Sequence, residues 1–177
     1  MGTYRTKVDR TEEQGIRELL TKDGYSEVVI EHWLNPRNLG EMKSYDGYSE
    51  KITSSCGDSM WFWVKVKDNV IENATYVSDI CIGAVSSGSM LTEMIKGKTI
   101  TEALWISPND ILRALGGLPE NLVHCAALAE MALKAAIKDY NVYKASPWKR
   151  LYQKKIGWNK LGGMADFLIP KGFEKEC

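Results

Sequence analysis

The most constraining stretch of the chain is a run of alternating residues between Met60 and Lys67. Its even-numbered positions are all apolar: Met60, Phe62, Val64 and Val66. Its odd-numbered positions carry Trp61, Trp63, Lys65 and Lys67. A period of two residues predicts a β-strand with one buried face. The turn signal Asp68-Asn69 follows, so Val70–Val77 is expected to return as the antiparallel partner strand.

The period of the apolar residues becomes helical after this hairpin. A stripe of Ala84, Gly88, Leu91 and Ile95 predicts a helix over Ala84–Lys96 that ends at Gly97. Further elements are predicted as helices at Ser26–Asn35, Thr101–Trp105, Asn109–Leu115 and Leu122–Tyr140, and as a strand near Tyr48–Ser54. A group of strands followed by a group of helices indicates the α+β class. We expect a small antiparallel sheet with helices packed on one face.

Length and charge narrow the class of protein. The chain has 177 residues, the size of one ordinary domain with appendages. It carries 23 basic and 23 acidic residues, so its charge does not favour nucleic acid or an anionic membrane as a partner. No stretch approaches the roughly 18 apolar residues of a membrane span, and no apolar signal region follows Met1. We therefore expect a cytoplasmic protein.

The composition divides the chain into three parts. Residues 1–24 are predicted to form a helical arm, which starts at a capping-box sequence, Thr11–Gln14. Residues 25–143 are the predicted domain. Residues 144–177 are a basic, tryptophan-containing extension with eight basic and three acidic residues. This extension is either a further helix docked on the domain or an arm that binds a partner or another subunit. We expect the extension or another subunit to cover the sheet face that carries Trp61 and Trp63.

The cysteines are spread widely along the chain. Cys56 lies in the loop sequence Ser55-Cys56-Gly57-Asp58, Cys81 directly precedes a predicted helix, and Cys125 follows His124 in the first turn of another. In a reducing compartment such cysteines serve metal binding or thiol chemistry more often than disulfides. Two of the three places are helix N-termini, where the helix dipole lowers the pKa of a thiol.

Each of these residues alone has an ordinary explanation. A single buried cysteine is usually a small apolar residue, and a histidine at a helix start is often only a cap. Together, three thiolates, an imidazole and a carboxylate suit Zn²⁺ or an iron–sulfur cluster. A nucleophile pair of His124 and Cys125 is disfavoured, because adjacent helical residues point about 100° apart. Cys177 ends a polar tail that offers nothing to orient a ligand, so we expect it to be dispensable.

Four segments together resemble the NifU/IscU family of iron–sulfur cluster assembly scaffolds. They are Tyr25–Gly40, Cys56–Asp58, Cys81–Lys98 and His124–Glu130, and the resemblance covers about Tyr25 to Tyr140. It implies a non-enzymatic scaffold that receives sulfur from a cysteine desulfurase and passes a cluster to apo-proteins. The implied cluster is [2Fe–2S], or [4Fe–4S] on a dimer. The residues that match the family's site are Cys56, Asp58, Cys81, His124 and Cys125.

The sequence also departs from the family pattern. Ile82 stands where the family usually has a glycine after its second cysteine, and Gly83 comes next. The segment Leu118–Leu122 lacks the lysine of the family's docking sequence for a dedicated Hsp70 chaperone, so we do not expect that partner.

Two alternatives to the scaffold use the same residues. One is a zinc-dependent sulfur acceptor that works with a cysteine desulfurase, and the other is a structural zinc domain. Zinc acceptors of this superfamily generally lack the histidine beside the last cysteine, so His124 favours the scaffold. The resemblance leaves open whether Asp58 or His124 is the fourth cluster ligand.

Overall fold

The structure is a computed structural model that describes residues 10–54 and 56–148. Its elements in chain order are α1 (Arg10–Lys22), α2 (Glu27–Leu34), β1 (Gly47–Thr53), β2 (Ser59–Lys67), β3 (Val70–Ser78), α3 (Ile82–Ile95), α4 (Ile100–Leu104), α5 (Pro108–Ala114) and α6 (His124–Ala145). A single 3₁₀ turn, Glu120–Leu122, precedes α6. The predicted α+β class is confirmed. The chain divides into two units at Asn141, and of the second unit only Val142–Trp148 is described.

The three strands form one antiparallel sheet in the order β1-β2-β3. The tight turn between β2 and β3 has Asp68 at φ 50° and Asn69 at φ 66°. Both residues are left-handed, as a type I′ hairpin turn requires, and Asp and Asn tolerate that conformation better than most residues. The predicted β2–β3 hairpin is therefore confirmed, and so is the prediction that Asp68-Asn69 forms its turn.

One face of the sheet forms the core with the helices. Met60, Phe62 and Val64 of β2 are completely buried, as the alternation predicted. On β3, the Tyr76 ring lies against Gly88 of α3, where a Cβ atom would overlap the ring. The Tyr76 hydroxyl donates a hydrogen bond of 2.7 Å to the carbonyl of Val85. This close approach holds α3, the helix that begins directly after Cys81, against β3.

The opposite face of the sheet is more covered than strict alternation suggests. Trp63 is only 7% exposed, and the Tyr48 ring of the neighbouring strand lies 5.3 Å from it between centroids. The Lys51 ammonium group lies 5.7 Å from the centroid of the Trp61 ring. Strand β1 therefore supplies part of the cover that we expected from the extension or another subunit. Residues 149–177 lie outside the described part of the chain, so the prediction about the extension stays a prediction.

Helix α2 is fixed at its start by two hydrogen bonds of Ser26. The Ser26 hydroxyl accepts a hydrogen bond from the Val29 amide at 3.1 Å and donates one to the Leu115 carbonyl at the end of α5. The predicted start at Ser26 and end at Asn35 are confirmed.

The apolar spacing in α2 predicts a buried face of Val29, Ile30, Trp33 and Leu34, and the structure differs from this prediction. Val29 and Ile30 are buried as expected, but Trp33 and Leu34 are only half-buried. His32 is buried instead, and its Nδ1 atom lies 2.7 Å from the Ser89 hydroxyl of α3. A polar residue takes this place because α3 supplies a hydrogen-bond partner that hydrophobic periodicity does not reveal.

Helix α1 begins at Arg10, one residue before the predicted capping box. It is tied to α2 through Arg17, whose guanidinium group forms ion pairs of 2.6 Å with both Glu27 and Glu31. Among the helices that the structure describes, none is long and apolar enough to cross a membrane.

Candidate metal centre

Three separate elements present the predicted site residues. Cys56 and Asp58 lie in the loop between β1 and β2. This loop is closed by a hydrogen bond of 2.8 Å from the Ser54 amide to the Asp58 carbonyl. Gly57 has a φ of 94°, a left-handed conformation that a residue with a side chain rarely adopts, so the glycine between the two candidate ligands permits the turn.

The other candidates lie at helix starts, as predicted. Cys81 is the N-cap residue of α3, and its side chain makes no capping hydrogen bond. His124 and Cys125 are the first two residues of α6. The Cys81 thiol is therefore not engaged in a cap that metal binding would have to break.

The loop and α6 meet at the side chains of Cys56 and His124. The Cys56 sulfur lies 2.7 Å from His124 Nε2. The same sulfur lies 3.2 Å from Asp58 Oδ2 and 2.9 Å from the Ser54 hydroxyl. A thiol and a carboxylate of the β1–β2 loop thus share one position with an imidazole from the start of α6.

The starts of α3 and α6 meet at two sulfur atoms. Cys81 Sγ and Cys125 Sγ are 4.0 Å apart, and Cys125 Sγ lies 3.6 Å from His124 Nε2. Two thiolates on one tetrahedral metal ion, each about 2.3 Å from it, stand about 3.8 Å apart. The observed separation of the two sulfurs is close to the value that a shared metal ion requires.

Two overlapping groups of candidate ligands result. Cys56, Asp58 and His124 form one group, and Asp58, Cys81 and Cys125 form the other, with the ligand atoms of each group all within 4.8 Å of one another. Asp58 belongs to both. The structure therefore brings all five predicted residues together, with sulfur, nitrogen and oxygen donors around one small volume. This donor set suits zinc or iron.

The three sulfurs differ in their access to solvent. Cys56 is exposed, Cys81 is half-buried and Cys125 is completely buried. Burial raises the pKa of the Cys125 thiol well above its ordinary value, and the neighbouring Cys81 raises it further. The expected lowering by the helix N-terminus is therefore outweighed at Cys125 by desolvation. Without a metal, this residue is a thiol, and a metal ion that binds it must displace its proton.

Two residues of the site were not among the predicted ligands. The Ser54 hydroxyl contacts the Cys56 sulfur, and nothing in the sequence distinguishes this serine from an ordinary loop residue. Gly83 lies against Cys125, and a Cβ atom at this glycine would stand 2.9 Å from the Cys125 sulfur. No signal in the sequence marks this glycine, because the predicted helix begins at Ala84, whereas α3 begins at Ile82.

The surroundings of the site include one almost fully exposed apolar side chain. Ile80 directly precedes Cys81 and is 92% exposed, and Val123, directly before His124, is also exposed. Apolar residues thus flank the candidate ligands on two of the three elements.

Comparison with known proteins gives a consistent result. The sequence pattern of the NifU-like N terminal domain family matches residues 24–146. The iron-sulfur cluster assembly scaffold protein IscU 1 of Archaeoglobus fulgidus is 47% identical over 116 residues, which cover 66% of this chain and 76% of that protein. The iron-sulfur cluster assembly scaffold protein IscU of Escherichia coli is 44% identical over 123 residues, covering 66% of this chain and 93% of that protein.

The fold has a counterpart among crystal structures. A protein from Fervidobacterium islandicum, described as a candidate iron–sulfur cluster assembly scaffold for the SUF system, superposes with a TM-score of 0.52 at 21% identity. The superposition covers 64% of this chain and 96% of that one. At this identity the likeness concerns the fold. The sequence match and the relatives together show that this chain belongs to the NifU-like N-terminal domain family.

Proposed function

We propose that this chain is a scaffold on which an iron–sulfur cluster is assembled and from which it is passed to other proteins. The observation that carries the proposal is the convergence of five candidate ligands, from the β1–β2 loop and the starts of α3 and α6, at one place. Relatives at 44–47% identity are named as iron–sulfur cluster assembly scaffolds. We further propose that residues 25–143 form the scaffold domain and that the protein acts in the cytoplasm.

The donor set supports a cluster that can be released. A [2Fe–2S] cluster needs four protein ligands, and Cys56, Cys81 and Cys125 supply three of them. Asp58 or His124 supplies the fourth, and both lie within reach of the sulfurs. A carboxylate or an imidazole holds iron less firmly than a soft thiolate, so this position is the one that an acceptor's thiol displaces most readily. A [4Fe–4S] cluster shared by two copies uses the same residues.

The difference in burial between the sulfurs indicates the side from which partners approach the site. Cys56 is exposed, while Cys125 lies inside the protein. Partners that deliver sulfur or take up a cluster therefore approach from the side of Cys56 and its loop. We propose a cysteine desulfurase as the sulfur donor and apo-proteins as the acceptors. This role requires no turnover of a substrate, so we propose no enzymatic activity.

A zinc-dependent sulfur acceptor is the second candidate. The separation of 4.0 Å between Cys81 Sγ and Cys125 Sγ suits a tetrahedral zinc ion as well as iron. In that role the chain keeps its metal and carries sulfur on one cysteine. The two candidates predict different metals in the purified protein.

Anaerobic purification of the full chain, followed by metal and acid-labile sulfide analysis, separates them. A scaffold yields a brown protein that contains iron and sulfide after supply of Fe²⁺, cysteine, a desulfurase and a thiol reductant that reduces the persulfide sulfur to sulfide. A colourless protein that retains stoichiometric zinc under the same conditions contradicts the scaffold and supports the zinc-dependent acceptor.

A further inference from the structure

The backbone of Gly83 lies closer to the Cys125 side chain than the backbone of a residue with a side chain could. It lies in the first turn of α3 and faces Cys125 of α6. A Cβ atom at this position would stand 2.9 Å from Cys125 Sγ, 3.2 Å from Cys125 Cβ and 3.2 Å from Leu122 Cβ. A carbon–sulfur distance of 2.9 Å is far inside van der Waals contact. The space that a side chain would take at Gly83 is therefore occupied by Cys125 and Leu122, with the Cys125 sulfur nearest.

The backbone gives no other reason for this glycine. Gly83 lies within an α-helix and not in the left-handed region. Glycine is less favourable than alanine in a helix by about 1 kcal/mol. The same helix has a second glycine, Gly88, which is explained by the Tyr76 ring packed against it. In the same way, Gly83 is packed against the side chain of Cys125, a candidate metal ligand.

The position of Gly83 also links the two sulfurs of the pair. It follows Cys81, the N-cap of α3, by two residues, so one turn of helix carries the Cys81 sulfur and borders the Cys125 sulfur. This arrangement fixes where α6 places its sulfur relative to α3, and the result is the separation of 4.0 Å. A metal ion that binds both sulfurs needs about 3.8 Å, so displacement of either sulfur by a few tenths of an ångström matters.

We propose that Gly83 is a positioning residue of the metal centre. Its lack of a side chain sets the distance between the Cys81 and Cys125 sulfurs and so tunes how the site binds metal. This inference rests on the proposed function and deepens it. It also assigns a role to a glycine that stands one residue beyond the position at which the family usually has one.

An alanine at position 83 should displace the Cys125 sulfur most and the start of α6 by a smaller amount. The new methyl group would stand 2.9 Å from Cys125 Sγ, which must move, and 3.2 Å from Cys125 Cβ and Leu122 Cβ, which must give way by a few tenths of an ångström. The substitution also raises the helix propensity of α3. The fold should therefore persist, while the sulfur pair loses its geometry.

The test is an anaerobic titration of the full-length Gly83→Ala variant with Co²⁺, which reports sulfur ligation through its charge-transfer and d–d absorption. We expect the affinity for Co²⁺ to fall by about tenfold or more and the d–d bands to change, with the far-ultraviolet circular dichroism unchanged. Gly15→Ala is the matched control, because Gly15 lies within α1 and a Cβ atom added there would meet nothing within 4 Å. It should bind Co²⁺ like the wild type.

A double-mutant cycle covers the case in which Gly83→Ala lowers stability. The urea midpoint is measured for Gly83→Ala in the wild-type and in the Cys125→Ala background. If the sulfur causes the conflict, the loss is smaller in the Cys125→Ala background. An equal loss in both backgrounds overturns the inference, and so does wild-type affinity with a wild-type cobalt spectrum. If the wild-type chain itself fails to bind Co²⁺, the proposed function fails with the inference.

Discussion

The Cys56 sulfur and the His124 Nε2 atom lie 2.7 Å apart, although 68 residues separate them in the sequence. This contact joins the β1–β2 loop to the first residue of α6. It places the exposed thiol of the site beside an imidazole, a side chain that commonly binds metal ions. The site thus depends on the fold, since no local segment of the chain contains more than two of its candidate ligands.

The three clustered cysteines are each expected to be needed for metal retention. Cys56→Ser, Cys81→Ser and Cys125→Ser each remove one of only three sulfur ligands, so each variant should lose most of its iron and sulfide after anaerobic reconstitution. Cys177→Ser is the control and should reconstitute like the wild type. Full iron content in any one of the first three variants removes that residue from the ligand set.

Asp58 is expected to control cluster release. The loop is closed by the backbone carbonyl of Asp58, which accepts from the Ser54 amide at 2.8 Å, so Asp58→Ala should leave the turn in place. The variant should still hold a cluster but pass it to an apo-ferredoxin about tenfold more slowly, since the hard oxygen ligand that leaves readily is gone. The rate is measured at matched cluster content. Transfer at the wild-type rate would leave Asp58 with a role in the loop alone.

Acidification is expected to destabilise the chain through His32. Burial lowers the pKa of this histidine, and the Arg37 charge adds to the effect against the smaller opposing influence of Glu93 and Glu31, so folding favours its neutral form. The unfolded chain then binds the proton more readily, and the stability contributed by His32 is present above its unfolded pKa of about 6.5. That contribution is lost as the pH falls through about 6.5 and below.

Urea unfolding at several pH values between about 5 and 8 tests this prediction. The wild type should lose more stability toward acidic pH than His32→Asn, which retains a polar group for the Ser89 hydroxyl but does not titrate. Parallel pH profiles for the two proteins would show that other groups govern the acid sensitivity.

The carboxy-terminal extension is expected to complete the cover of the sheet face with Trp61 and Trp63. Tyr48 already shields Trp63, and Lys51 lies over Trp61, so the remaining exposed area is smaller than the sequence suggested. A chain ending at Trp148 keeps all of α6 and should bind more of an apolar dye or change its oligomeric state. An unchanged, monodisperse truncation with unchanged dye binding would contradict this role of the extension.

Local patterns predicted the sheet well. The alternation from Met60 to Lys67 and the Asp68-Asn69 turn act over a few residues, and the structure has the hairpin that they specify. The burial of Trp63 was not predictable in the same way. It depends on Tyr48 lying opposite Trp63 on the neighbouring strand, and the irregular register of that pairing between Ser49 and Ile52 is not visible in the sequence.

Long-range contacts account for the features that the sequence did not reveal. His32 is buried because Ser89, 57 residues later, supplies a hydrogen-bond partner. The pKa of the Cys125 thiol is raised, where the helix start alone predicted a lower value, because the packed side of α6 excludes water. The clustering of the five candidate ligands followed from the family resemblance, since their spacing alone does not specify a common location.

Transfer of a cluster from this chain is tested by incubating the anaerobically reconstituted full chain with an apo-ferredoxin and following the ferredoxin's visible circular dichroism. The ferredoxin should acquire its holo spectrum while iron and sulfide leave the chain in matching amounts. Retention of the metal by the chain while the ferredoxin remains apo would contradict the proposed scaffold function.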